Sequence, residues 1–224
     1  MDKCRKTQMQ GPRKGKPKGW HSRGYLPHID GSELLQFVTF RLADAVPADL
    51  IERWKAELDR ETNLTNDRVQ ARKLQRLIER YADSGMGECL LADERAAAIV
   101  KNALLHFDGI RYRLWDWTIM PHHVHVLIES GKADGYARPA ESGTGQFHTL
   151  PEIVHSWKSF TSKRINEALT RSGSVWMVDY FDRYIRDEEH FEKVRDYIRR
   201  NPVSAGLCAE PGDWPWTGAA SHGR

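Results

Sequence analysis

Two histidines separated by one apolar residue, His123-Val124-His125, are the part of this sequence that most directly suggests chemistry. They sit in the run from Trp115 to Glu129, which reads as two short β-type segments broken at Pro121. Side chains alternate faces along a strand, so His123 and His125 share one face while Val124, Val126 and Ile128 take the other. The two Cα atoms then stand roughly 7 Å apart on one open surface of a sheet. Two neutral imidazoles so placed can share a divalent metal. The same pair is also an ordinary feature of a polar sheet surface, and with His122 beside it the segment suits a His-rich turn. A site requires that other segments bring a nucleophile, a further ligand and a substrate groove. Far along the chain, Tyr197 and Asn201 lie four residues apart, on one helix face at the margin of an apolar stripe. A tyrosine beside Val194 and Ile198 serves packing as readily as chemistry.

The elements that would position these residues follow from periodicity. Phe37-Val-Thr-Phe-Arg-Leu42 is a compact β-run. Beyond Pro47, Leu50, Trp54 and Leu58 recur at helical spacing, as do Leu74 and Ile78 with Leu77 beside them, predicting helices over 48–60 and 66–82 whose charges form a solvated face. Asp93 caps a helix to about His106, with Ala96, Val100, Ala103, Leu104 and Phe107 as its buried stripe and Asp108-Gly109 closing it. Residues 130–148, with four glycines and Pro139, read as a surface loop. Pro151 then opens a helix with Ile153, Trp157, Phe160 and Ile165 inward. Its Lys158, Lys163 and Arg164, near several hydroxyl side chains, suit phosphate contacts or simply an amphipathic surface. The last helix begins after Asp187, carries Phe191, Val194 and Ile198 inward, and stops at Asn201-Pro202. Trp214-Pro215-Trp216 folds back onto the body, and Trp115 and Trp117 read as sheet packing rather than platforms for bases.

Composition narrows the classes. At 224 residues the chain fits one domain with extensions or at most two small ones. No apolar run approaches the ~20 residues of a membrane span, and no secretory leader opens the sequence, so a cytoplasmic location and no membrane partner are expected. Cys4, Cys89 and Cys208 are too few and too scattered for a disulfide framework or a metal knuckle. The net charge is only +3, but residues 1–23 hold eight basic side chains against the single acid Asp2. This glycine- and proline-containing arm is expected to be flexible, serving either a polyanion partner or solubility. The division is an arm at 1–23, one domain at 24–210 with a helical insertion at 48–82, and a tail at 211–224.

Several separated segments together resemble one family. Met120-Pro-His-His-Val-His-Val-Leu127 resembles the HUH signature, two histidines around a bulky apolar residue, of single-tyrosine transposases. Gly24-Tyr-Leu-Pro-His28, Phe37–Leu42, His155-Ser-Trp-Lys-Ser-Phe-Thr161, Tyr180–Arg186 and Tyr197–Leu207 resemble its REP-associated tyrosine transposase branch. The likeness runs from about residue 24 to 220. It implies an α+β, ferredoxin-like antiparallel sheet with helices on one face, the HUH endonuclease fold. It also implies a DNA endonuclease and strand transferase acting on single-stranded DNA at REP-like hairpins. Tyr197 is then the nucleophile, with Tyr180 and Tyr184 as its rivals, and His123 and His125 are metal ligands for Mg2+ or Mn2+. Asn201 stands where the wider family has a glutamine ligand, and His122 where an asparagine is common. Arg183 and Arg186 become phosphate contacts beside Lys158, Lys163 and Arg164. Attack by a phenol would leave a covalent 5′-phosphotyrosine and a free 3′-OH. A non-catalytic hairpin-binding protein is the alternative; a water-using metallohydrolase is disfavoured because no acidic ligand cluster accompanies the histidines. The resemblance allows a monomer or a homodimer.

Overall fold

The strand Leu35–Arg41 (β3) is buried along its whole length because both of its faces are covered. Val38 and Phe40 enter one apolar cluster, while Leu35 and Phe37 enter another. A strand with two apolar faces must lie inside a sheet between two layers, and that is its place. The computed structural model describes residues 19–22, 27–30, 34–61, 67–82, 87–130 and 148–219.

The remaining elements are strands Gly19–Ser22 (β1), Pro27–Asp30 (β2), Tyr112–Ile119 (β4), His123–Ser130 (β5), Phe181–Tyr184 (β6) and Thr217–Ala219 (β7). The helices are Ala48–Glu61 (α1), Asp67–Ala82 (α2), Glu94–His106 (α3), Leu150–Ala168 (α4) and Glu188–Ser204 (α5). The main sheet is ordered β6-β3-β5-β4-β7, with every neighbouring pair antiparallel. Without β7 this is the ferredoxin-like order, in which the first and third strands lie side by side at the centre. β1 and β2 form a separate hairpin. Thus residues 19–22, assigned to the basic arm, are a strand; the rest of the arm and the loop at 131–147 lie outside the described residues.

The α+β class holds, but the helices occupy both faces rather than one. α3 and α4 cover Val124, Val126 and Ile128 with Ala97, Val100, Leu104, Ile153 and Trp157. α5 covers the opposite face, where Phe191, Val194 and Ile198 pack on Leu35, Phe37, Leu127 and Phe181. The histidine face therefore carries its own apolar patch, and each large side chain buried there is worth ~1.5–3 kcal/mol. α1 and α2 form a third small cluster with Ile51, Leu58, Leu74 and Ile78 inside.

Local signals explain most boundaries. Asp93 caps α3 by accepting from the Arg95 amide at 2.9 Å, and Gly109 takes the positive φ of +76° that ends this segment. Thr149 and Glu152 form the capping box of α4. Two expectations fail. Phe160 is 54% exposed, because Thr161 rather than Phe160 fills the next position of the inward stripe and receives a hydrogen bond from Trp176. α5 also runs through Pro202 to Ser204, and the chain turns only where Gly206 takes a φ of +70°. One proline deletes a single helical hydrogen bond, and here its ring is buried. The tail folds back as expected: Trp214 Nε1 donates to the Ile119 carbonyl at 3.0 Å and β7 extends the sheet. Among the described residues no helix is long and apolar enough to cross a membrane.

Candidate active site

A β-bulge in β4 decides what the helix above the histidines can hold on to. The register shifts between Leu114 and Asp116, so that Trp115 and Asp116 share the space opposite Leu127. Both therefore face α5. Trp115 meets Phe191 edge-on at 5.2 Å between ring centroids, and the fully buried Asp116 receives Arg195 Nε and Arg199 Nε at 2.7 Å each. Trp117 falls on the other face, in the main core. Both tryptophans pack, as expected.

On α5 the residues sort by angle at about 100° each. Phe191, Val194 and Ile198 face down; Arg195 and Arg199 lie along one flank; Tyr197 and Asn201 lie along the other. The flank carrying Tyr197 meets the histidines. The Tyr197 ring stands 5.3 Å from the His125 ring and 5.8 Å from Phe37, edge-on to each, and the residue is 47% exposed. The Asn201 side chain lies beside the His123 ring. Residues from two distant segments are thus brought to one place.

His123 and His125 are only 2% exposed, so they do not stand on an open surface as the strand pattern implied. Helix α5 and the neighbouring strands enclose them. Their Nε2 atoms face each other at 2.9 Å. Thr39, directly opposite His125 in the register, meets its Nδ1 at 2.8 Å. Arg41, also buried, is paired opposite His123. Burial, with the positive charge of Arg41 nearby, holds both imidazoles well below the usual histidine range, so both are neutral at pH 7. Two nitrogens each ~2.1 Å from one ion at right angles would be ~3.0 Å apart, and Thr39 on Nδ1 leaves the Nε2 lone pair of His125 for a ligand. The pair therefore fits a divalent cation. Among the described residues no third His, Cys, Asp or Glu completes a ligand cluster with it, which leaves the Asn201 amide as the adjacent candidate donor.

The rival tyrosines are elsewhere. Tyr180 packs on His28 at 4.5 Å and Tyr184 is half-buried on β6. Tyr112 is fully buried, receives Trp157 Nε1 at 2.9 Å and donates to the Leu104 carbonyl at 2.7 Å, and burial pushes its phenol well above the usual range. It is structural.

The expected phosphate contacts divide. Arg183, paired opposite Phe37, is exposed on the face that carries the histidines, and Arg186 is exposed just beyond β6. Lys163 and Arg164 are exposed on α4, in the layer on the far side of the sheet, with Arg164 3.1 Å from Glu167. Lys158 gives its ammonium to the carbonyls of Met177, Val178 and Asp179 at 2.8, 3.0 and 3.0 Å. Its three donors fasten that segment, and burial lowers its pKa to about 8. Thr39, Arg41, Asp116, Arg195 and Arg199 were not read as site residues. Only Asp116, an acid among large apolar neighbours in a strand, carried a usable signal.

No protein-family model matches the chain. A protein of Haemophilus influenzae described as uncharacterized is 29% identical over an alignment of 103 positions that covers 41% of this chain and 54% of that protein. The chain thus spans about half the length of the curated relative it matches. Among solved structures the chain is similar to a REP-associated tyrosine transposase bound to a REP hairpin, with 16% identity and a TM-score of 0.43, covering 88% of this chain and 80% of that one.

Proposed function

We propose that this protein is a metal-dependent single-strand DNA endonuclease and strand transferase of the single-tyrosine HUH kind, acting at REP-like hairpins. The observation that carries this reading is the meeting of the half-exposed Tyr197 with the neutral His123–His125 pair, on a helix held in place by Asp116. The sequence resemblance supplies the substrate class.

His123 and His125, with the Asn201 amide, would hold Mg2+ or Mn2+; imidazole ligands favour manganese over magnesium, which prefers oxygen. Such an ion, when bound, polarises a non-bridging oxygen of the scissile phosphate. Thr39 fixes the orientation of His125, and the Asp116 clamp fixes the pitch of Tyr197. Tyr197 Oη forms the new P–O bond while the bond to the 3′-oxygen breaks. The phenol gives up a proton and the departing 3′-oxygen takes one up. The product is a 5′-phosphotyrosine and a free 3′-OH, so one phosphodiester replaces another and the strand remains joinable.

The test is incubation with labelled single-stranded hairpins and Mn2+ or Mg2+, resolved on a denaturing gel. A covalent band lost in Tyr197→Phe and in EDTA is expected. A band that survives Tyr197→Phe but disappears in Tyr180→Phe or Tyr184→Phe would move the nucleophile. Tight hairpin binding with no band under either metal would replace the enzyme with a hairpin-binding protein.

A further inference from the structure

Helix α2 carries five basic residues against two acids, and its arginines recur at every fourth position: Arg68, Arg72, Arg76 and Arg80. Four residues advance a helix by about 6 Å and rotate it by only about 40°, so Arg72, Arg76 and Arg80 form a slowly winding stripe. Leu74, Ile78 and Ala82 are buried on the side facing α1 and the body, and Arg72, Arg76 and Arg80 are exposed on the opposite side. None of these three arginines forms an ion pair with a described residue. The partner helix differs: on α1, Arg53 pairs with Asp49 at 3.2 Å and Lys55 with Glu52 at 2.8 Å. Charges meant only for solubility are commonly balanced in that way; a one-sign stripe is an electrostatic footprint.

The stripe starts beside the segment that carries the histidines. Ala82, the last residue of α2, lies against the His122 ring, and Ile78 lines a cleft together with Thr39 and Arg41. Arg80, Arg76 and Arg72 lead away from that point in order. We infer that the outer face of α2 is a track for the sugar-phosphate backbone of the DNA flanking the cleaved strand, with Arg72, Arg76 and Arg80 as the phosphate contacts. The inference rests on the nuclease reading for its substrate but not on catalysis. Contacts of this kind hold any sequence and position the strand without reading bases.

The test is DNA binding by the full chain as a function of salt, with Tyr197→Phe in every protein so that cleavage plays no part. The probe is a single-stranded hairpin with long flanks. Each lost phosphate contact reduces the slope of log affinity against log salt by about 0.7 on single strands and 0.9 on duplex, so Arg72→Gln/Arg76→Gln/Arg80→Gln should reduce it by about 2–3. Lysine at the same three positions should restore it. Arg53→Gln/Lys55→Gln/Arg95→Gln removes equal charge from ion-paired positions, the Arg95 guanidinium lying 2.7 Å from Asp93, and should leave the slope in place. An unchanged slope in the α2 variant, or an equal fall in this control, overturns the inference, as does absence of DNA binding with α2 intact. Failure of the nuclease reading appears separately, as absence of the covalent band in the chain that retains Tyr197.

Discussion

Arg199 donates from its Nε to Asp116 Oδ1 across 2.7 Å, and this ion pair ties α5 to the bulged strand beneath it. Arg195, one turn earlier, takes the other carboxylate oxygen at the same distance. Burial pushes the Asp116 carboxyl above the usual range, and the two guanidiniums oppose that shift. Tyr197 lies between these two arginines in sequence but on the opposite flank of the helix, so a rotation that loosened the clamp would swing the phenol over the histidines.

Asp116→Asn should therefore lower stability by roughly 1–3 kcal/mol, the scale of losing hydrogen bonds to a charged acceptor, because both arginines are partly exposed and can turn to water. Thermal melts would read this loss. The variant should also form the phosphotyrosine adduct more slowly at saturating DNA and metal. An adduct rate equal to that of the parent chain, in a variant that has lost stability, would reduce the clamp to a structural role.

Thr39 makes a second positioning claim. Its hydroxyl lies 2.8 Å from His125 Nδ1, and groups of this kind typically set metal affinity by 10–100-fold. Thr39→Val should weaken Mn2+ binding on that scale in a direct titration without DNA, and Thr39→Ser should restore it. If Thr39→Val binds Mn2+ as tightly as the parent chain, the hydroxyl does not orient a ligand.

These two residues show where the sequence was legible. His123 and His125 stood out because a strand's period of two is visible in a linear string, and Tyr197 with Asn201 because a helix's period is too. The helices over 48–60, 66–82 and 93–106 followed from the same reasoning, as did the capped start of α4. Thr39 was hidden because its role depends on which residue of β5 it is paired with, and register is set by the whole sheet. Asp116 was hidden by the bulge: strict alternation puts Trp115 and Trp117 on one face, and the extra residue sends them to opposite sides. Helices on both faces were hidden because the apolar patch beneath α5 is assembled from three strands, no one of which looks unusual alone.

The expected phosphate contacts should separate by experiment as they do in space. Lys158→Gln should cost stability, since it releases the carbonyls of Met177, Val178 and Asp179, and should leave the salt dependence of DNA binding unchanged. Arg183→Gln, an exposed position on the face that carries the histidines, should reduce the salt slope by about 0.7 with little effect on melting. A lowered slope in Lys158→Gln without loss of stability would return that lysine to the DNA.

His28 gives the fold a pH dependence of definite sign. Its ring lies between Asp182 on Nδ1 and Asp179 on Nε2, with Gln36 also donating to Asp182, and so ties β2 to the edge strand β6. Burial alone would lower its pKa, but the hydrogen bonds and charges of the two aspartates raise it to about 9. Since the folded value lies above the ordinary 6.5, the contribution is complete below pH 6.5 and is lost as pH rises through about 9. His122, His123, His125 and His190 are shifted downward and act with the opposite sign, because the same histidines in the unfolded chain still release protons as pH rises through 6.5. Lys158, with its pKa near 8, also acts with the opposite sign, from about that pH upward. Between pH 6.5 and 8, the stability that this His28 cluster contributes should therefore shrink by roughly 2 kcal/mol, read as the difference between the parent chain and a variant without the cluster, and amide exchange at residues 28–30 should quicken. The variant His28→Gln/Asp179→Asn/Asp182→Asn removes the charges together, and its stability should rise over that interval as the other histidines act alone. A difference between parent and variant that stays the same from pH 6.5 to 8 would mean that His28 is neutral in its pocket.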